Sequence, residues 1–176
     1  MNLLNIPLTW SINRAGNSKW AIMPLHDARD VANQIIRRAA MHRRTLTPMQ
    51  VLKLVYMSQG WMLGLYGRPL FSQSVEAWQY GPVIPDVYHA LKGYGSSPVL
   101  ATINCPQEHY DPQEIDIINQ VVDIYKDWNG IELSNWTHQP GSPWHTTWHI
   151  NGRNSTIPID TIQAYFNRLA HESARQ

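Results

Sequence analysis

Three histidines toward the carboxyl end, His138, His145 and His149, are the first residues whose type and spacing suggest chemistry. Imidazoles four apart on a helix can share one zinc ion, a third could complete the set, and the reaction would be metal-assisted hydrolysis. The run His145-Thr146-Thr147-Trp148-His149 lacks the glutamate of a His-Glu-x-x-His helix, and it follows Pro140-Gly141-Ser142-Pro143, which leaves its helicity open. Hydrogen-bonded or surface histidines are the favoured reading, and no metal or other cofactor is assigned. Cys105 with His109 four residues on could form a nucleophile pair, yet nothing around Asn104-Cys105-Pro106 fixes an oxyanion site. Glu76, set in the apolar stretch Val75-Glu76-Ala77-Trp78, could serve as a general acid. No second carboxylate or base is spaced to work with it, so pairing with Lys53 or a backbone amide is preferred. No GxGxxG, P-loop or GxSxG motif occurs.

The cations Arg37, Arg38, His42, Arg43 and Arg44 could hold phosphate, but they sit where a helix ends, and basic residues there also complement the macrodipole. Without interleaved aromatics or a helix-turn-helix pattern, nucleic acid is not the expected partner. A formal net charge of +1 over 176 residues supplies no global field toward nucleic acid or an anionic membrane. No run of about 18 apolar residues predicts a membrane span, and one cysteine without a leader peptide suits a reducing cytoplasm. The aromatics Trp78, Tyr80, Tyr88, Trp136, Trp144 and Trp148 have two readings, core and protein interface.

The elements that must position these groups are mostly helical. Residues 1–26 read as an extended arm or hairpin, and 27–176 as one domain. A helix starts at Asp27, with Val31, Ile35, Ile36 and Ala39 as its stripe. Thr47-Pro48-Met49-Gln50 opens the central helix with a capping box and a proline in the first turn. From Val51 to Leu65 that helix has almost no polar face, which predicts contact on most sides, and Gly60 and Gly64 predict a close-packed neighbour. Leu70 to Gln79 reads as a bent extended segment, Tyr80-Gly81-Pro82 as a sharp corner, and Pro85 as the start of a short helix ending near Gly93. Asp111-Pro112-Gln113-Glu114 repeats the start signal for a helix that stops at Asn129-Gly130. Ser134 to His138 reads as a capped turn, Gln139 to Ile150 as an aromatic loop, and about Ile159 to Ala170 as a last helix. The fold expected is mainly α (α+β): about five helices around a buried one, with a small β element near residues 70–80.

In order and spacing, Leu52-Lys53-Leu54-Val55-Tyr56, Gln59-Gly60-Trp61, Pro69-Leu70-Phe71, Glu76-Ala77-Trp78-Gln79-Tyr80-Gly81-Pro82-Val83 and Pro85-Asp86-Val87-Tyr88 resemble the signature of the Panacea antitoxin domain, also described as SocA-like or GepA-type phage-associated proteins. Asp30 to Asn33, Leu133-Ser134, Thr137-His138, Pro143-Trp144 and Ala164 to Phe166 extend the resemblance. It implies a small cytoplasmic antitoxin, often carried by prophages, that neutralises an adjacently encoded protein toxin by direct contact. Carried over as partner-binding residues are Lys53, Tyr56, Glu76, Trp78, Tyr80, Pro82, His138 and Trp144, with none catalytic. The alternatives are an adaptor that delivers a bound protein to a protease, a metal-dependent hydrolase using the three histidines, and a DNA-binding regulator using the arginines. Oligomeric state stays open.

Overall fold

Thr47 fixes the start of the helix on which the others pack. The Gln50 N–H donates to Thr47 Oγ1 at 3.4 Å, and Thr47 N–H donates to Gln50 Oε1 at 2.8 Å, so two otherwise orphaned donors are satisfied reciprocally. Helix α2 then runs Pro48–Tyr66 and ends on Gly67 with φ 69°, a left-handed cap that glycine adopts without steric cost. Val51 through Gly64 is buried without a break. This bears out a helix surrounded on most sides.

The computed structural model describes residues 25–173, so most of the expected amino-terminal arm lies outside the described residues. Before α2 comes α1 (Ala28–Met41); after it come strands β1 (Glu76–Trp78) and β2 (Gly81–Val83), then α3 (Pro85–Leu91), α4 (Pro112–Tyr125), α5 (Gly130–Thr137), α6 (Pro143–Asn151), β3 (Ser155–Thr156) and α7 (Ile159–Ser173). The sheet is antiparallel in the order β2-β1-β3, with Glu76 opposite Val83 and Thr156. Helices α1, α3, α4, α5 and α7 and strand β2 all pack on α2. The class is mainly α with a small β element, as the sequence implies.

Gly60 and Gly64 form the floor on which α7 lies. A Cβ at Gly60 would sit 2.2 Å from the Phe166 ring, and one at Gly64 would sit 2.7 Å from the Phe166 backbone carbon. Phe166, fully buried, meets Tyr56 and Trp61 edge-on, with centroids 5.8 and 5.2 Å away. Such aromatic contacts add to the apolar burial, which is worth about 1.5–3 kcal/mol for a side chain of this kind.

Three expectations change. Asn129 does not end a helix, since α4 stops at Tyr125: its side chain accepts from the Ile131 and Glu132 N–H groups, and Glu132 reaches back at 2.7 Å, so it starts α5. The stretch read as a turn is thus helix up to Thr137. The expected aromatic loop is helix from Pro143 onward as well, because Ser142 accepts from His145 N–H at 3.1 Å and Pro143 occupies the first turn of α6. The Lys53–Glu76 pair is not formed: each finds a nearer partner, as described below.

Candidate partner-binding face

Strands β1 and β2 are joined by the two residues Gln79 and Tyr80, and Trp78 pairs with Gly81 across the turn. Gly81 has φ 108°, a backbone conformation other residues adopt only with strain. It also has no room for a side chain, since a Cβ there would lie 2.6 Å from Lys53 Nζ and 2.9 Å from Thr137 Oγ1. Glycine therefore lets a lysine from the second turn of α2 end beneath the β1–β2 turn. That ammonium donates to the Pro82 carbonyl at 3.1 Å. Lys53 is 1 % exposed, and burial holds its pKa down at about 7.

The turn is tied down from α5 and α6. Ser134 Oγ donates to the Tyr80 carbonyl at 3.0 Å, and Trp144 Nε1 donates to the Trp78 carbonyl at 2.8 Å. Trp144 in turn packs against His138, with ring centroids 3.7 Å apart, and against Trp148 at 5.2 Å. Burial lowers the His138 pKa, and the hydrogen bond between its Nδ1 and the Ser134 carbonyl offsets only part of that. The Trp78 indole donates to Glu76 Oε2 at 2.8 Å and meets Tyr88 edge-on at 4.9 Å. Glu76 is thus occupied by its neighbour on the same strand face rather than by Lys53. What remains outside is Tyr80, 64 % exposed at the tip.

Between α2, the turn, α3 and the segment leading into β3 lies a cavity of about 560 Å³. Trp78, Tyr80 and Tyr88 supply aromatic wall, and its charged residues are Lys53, Lys92 and Arg153, with no carboxylate among the described lining residues. Arg153 arrives because Asn154 N–H donates to the Ala77 carbonyl at 2.8 Å beside the β1–β3 pairing. Its guanidinium carbon stands 5.8 Å from the Trp148 ring centroid.

Of the residues expected at a partner site, Trp78 and Tyr80 line this cavity at its surface and Lys53 at its base. Pro82 and Trp144 are buried and hold the turn, Glu76 and His138 are half-buried beside it, and Tyr56 lies in the core against Phe166. Lys92, Arg153 and Tyr88 were not singled out as cavity residues from the sequence. Tyr88 had a signal, its aromatic type near the corner; the two cations had none, because only tertiary pairing brings them in.

The other candidate groups are placed elsewhere. His145 and His149 face each other on α6 at 4.4 Å, while His138 points to Ser134 and Trp144; among the described residues no three His, Cys, Asp or Glu side chains converge as a ligand set. Cys105 Sγ accepts from Asn33 Nδ2 at 3.2 Å, and burial raises its thiol pKa. Arg38 binds Asp123 through two nitrogens, with His42 on the same carboxylate at 2.7 Å, and Arg44 pairs with Asp127 at 2.6 Å. These cations tie α1 to α4 and the turn after it. A further polar cluster, not anticipated, places His26 between Glu108 and Glu114 at 2.6 and 2.9 Å and joins Glu114 to Arg68 at 2.6 Å.

Residues 51–145 match the family described as Antitoxin SocA-like, Panacea domain. The chain is also similar to Antitoxin SocA of Caulobacter vibrioides (strain NA1000 / CB15N), with 36 % identity over 74 residues, which is 42 % of this chain and 39 % of that relative. No solved structure matches it. The family match takes in most of α2, the β1–β2 turn, α3, α4, α5 and the start of α6, which is over half of the chain. The protein therefore belongs to the SocA-like, Panacea-domain antitoxin family.

Proposed function

We propose that this protein is an antitoxin that neutralises a cognate, adjacently encoded protein toxin by direct contact, with the β1–β2 turn as the centre of the contact face. The observation that carries the reading is the contrast at that turn. Its supporting residues are buried or half-buried and hydrogen-bonded, yet they hold out one large aromatic, Tyr80, beside an aromatic-walled cavity. Tyrosine, tryptophan and arginine are the residue types that dominate binding energy at protein interfaces.

The role is binding rather than catalysis. Trp78, Tyr80 and Arg153 make the contact surface, with Lys53 buried at the base of its cavity, while Glu76, Pro82, His138 and Trp144 hold the turn rigid and Tyr56 acts on it only through the core. The protein works in the cytoplasm, and a mobile-element origin agrees with the family.

The test is co-expression with the product of the adjacent reading frame, reading growth and co-purification. Wild type restores growth; Tyr80→Ala, whose side chain is mostly in solvent, folds normally and fails to restore it. A toxin that stays active in excess wild-type protein overturns the proposal. An adaptor that delivers its partner to a protease would use the same face, and it is recognised by loss of the partner rather than by its persistence in a complex.

A further inference from the structure

We propose that the cavity above Lys53 receives the carboxylate of an acidic side chain from the bound protein, which enters alongside the Trp78–Tyr88 aromatic wall and pairs with the buried ammonium. This rests on the antitoxin reading and names the chemistry of its partner.

Three independent features of the cavity support it. The first is the state of Lys53. An ammonium has three donors, and this one has a single hydrogen bond, to the neutral Pro82 carbonyl, and no ion pair with a carboxylate among the described residues. A cation taken out of water without a counter-charge is costly, and an apolar residue of the same length would pack there at lower cost. Gly81 and its unusual φ make the space that the ammonium occupies, so the fold accommodates the lysine by a specific backbone choice. Burial alone lowers its pKa, as expected for a cation lacking a counter-charge.

The second is the sign of the surrounding charge. Lys92 and Arg153 on the rim carry the same sign as Lys53, and nothing acidic lines the cavity among the described residues. Neighbouring cations converging on one concave surface attract an anionic group and raise its rate of arrival. The third is size and wall chemistry. About 560 Å³ is larger than one carboxylate needs and lies within the range of sites that bury a short segment or ligand. Its aromatic walls suit the apolar stem of a glutamate. The occupant is a protein segment rather than a free metabolite because apolar surface continues beyond the rim: Tyr80 is 64 % exposed, and Ile131, 70 % exposed, shares a face of α5 with Ser134, which bonds the Tyr80 carbonyl. A metabolite would leave that surface uncovered.

The test titrates the full chain with a terminally blocked pentapeptide of sequence Gly-Glu-Phe-Glu-Gly, and with its glutamine counterpart, while following the Trp78 and Trp144 indole N–H signals by NMR. The glutamate peptide is expected to shift Trp78 and to bind at least about tenfold more tightly than the glutamine peptide. Lys53→Met removes that preference, and Lys92→Glu with Arg153→Glu, both on exposed residues, abolishes binding with the fold intact. Equal binding of the two peptides, or no shift at Trp78 at millimolar concentration, overturns the proposal. Free glutarate that shifts Trp78 as strongly as the glutamate peptide also overturns it, in favour of a small anion site. The growth assay separates the two levels. If Lys53→Met still neutralises while Tyr80→Ala does not, the carboxylate pocket falls and the antitoxin reading stands.

Discussion

Replacing Gly64 by alanine sets two physical effects of opposite sign against each other. In a helix interior, alanine is favoured over glycine by about 0.8–1.0 kcal/mol, so secondary-structure propensity alone makes the variant more stable. The new methyl, however, would lie 2.7 Å from the Phe166 backbone carbon and 2.8 Å from the Asn167 nitrogen. The obstacle is backbone of another helix, not the end of a flexible side chain, so α7 has to move as a body. It is held where it is by Phe166 among Tyr56, Trp61 and Trp136, and by Asn167 Nδ2 donating to the Gly64 carbonyl at 3.0 Å. Overpacking of a filled core costs about 1–3 kcal/mol, and the lost Asn167 bond adds about 1 kcal/mol. The net expectation is a destabilisation of about 1–3 kcal/mol. Urea unfolding followed by circular dichroism measures it as a lower midpoint at unchanged slope. Gly60→Ala should show the same sign, relieved in part by Phe166→Leu, since there the obstacle is the Phe166 ring. A Gly64→Ala variant as stable as wild type, or more stable, would refute the placement of α7 on this floor.

Further outcomes follow from the charges. Burial by itself raises the Glu114 pKa, but hydrogen bonds from His26, Arg68 and the Asp111 N–H outweigh it and bring the value to about 2. Its stabilising share is therefore complete above pH 4.5 and is lost as pH falls toward 2. Burial likewise lowers the His26 pKa, and the bonds to Glu114 and Glu108 more than reverse this, so its share is complete below pH 6.5 and is lost as pH rises through the raised value. Stability against pH should show both limbs, and Glu114→Gln should flatten them and cost about 3 kcal/mol, as breaking a buried pair does. Lys53 has the opposite sense: with its pKa depressed to about 7 from 10.5, the unfolded chain holds the proton more tightly, and stability climbs with pH between those values. Lys53→Met should remove that climb and stabilise the fold by about 1–4 kcal/mol at neutral pH, read as a higher melting temperature. Trp144→Phe deletes the bond to the Trp78 carbonyl and should cost about 1–3 kcal/mol, with a shifted Trp78 indole signal marking a loosened turn.

The starts of the principal helices, the core character of α2 and the turn at Tyr80 were legible in the sequence because their causes are local. Thr47 and Asp111 find their capping partners three residues on, and Gly67 ends α2 by its own φ. Asn129 and Ser142 were equally local signals, outweighed in the reading by the Gly and Pro beside them. The role of Gly60 and Gly64 was legible in kind, as close packing, though not the identity of α7 as the neighbour.

Partnership was not legible. Lys53 and Glu76 have opposite charges, yet the chain gives Lys53 the Pro82 carbonyl, 29 residues away, and gives Glu76 the indole two residues on. Arg153 reaches the cavity only because β3 pairs with β1, His26 meets Glu114 across 88 residues, and Arg38 meets Asp123 across 85. Sequence by itself determined the helices α1, α2, α3, α4 and α7, their apolar faces and that an aromatic turn exists, since caps, periodicity and glycine conformation act within one or two turns of the chain. Tertiary structure alone decided which charges meet, because Coulomb and hydrogen-bond energies depend on distances in space that the packing of α1, α4, β3 and α7 around α2 sets.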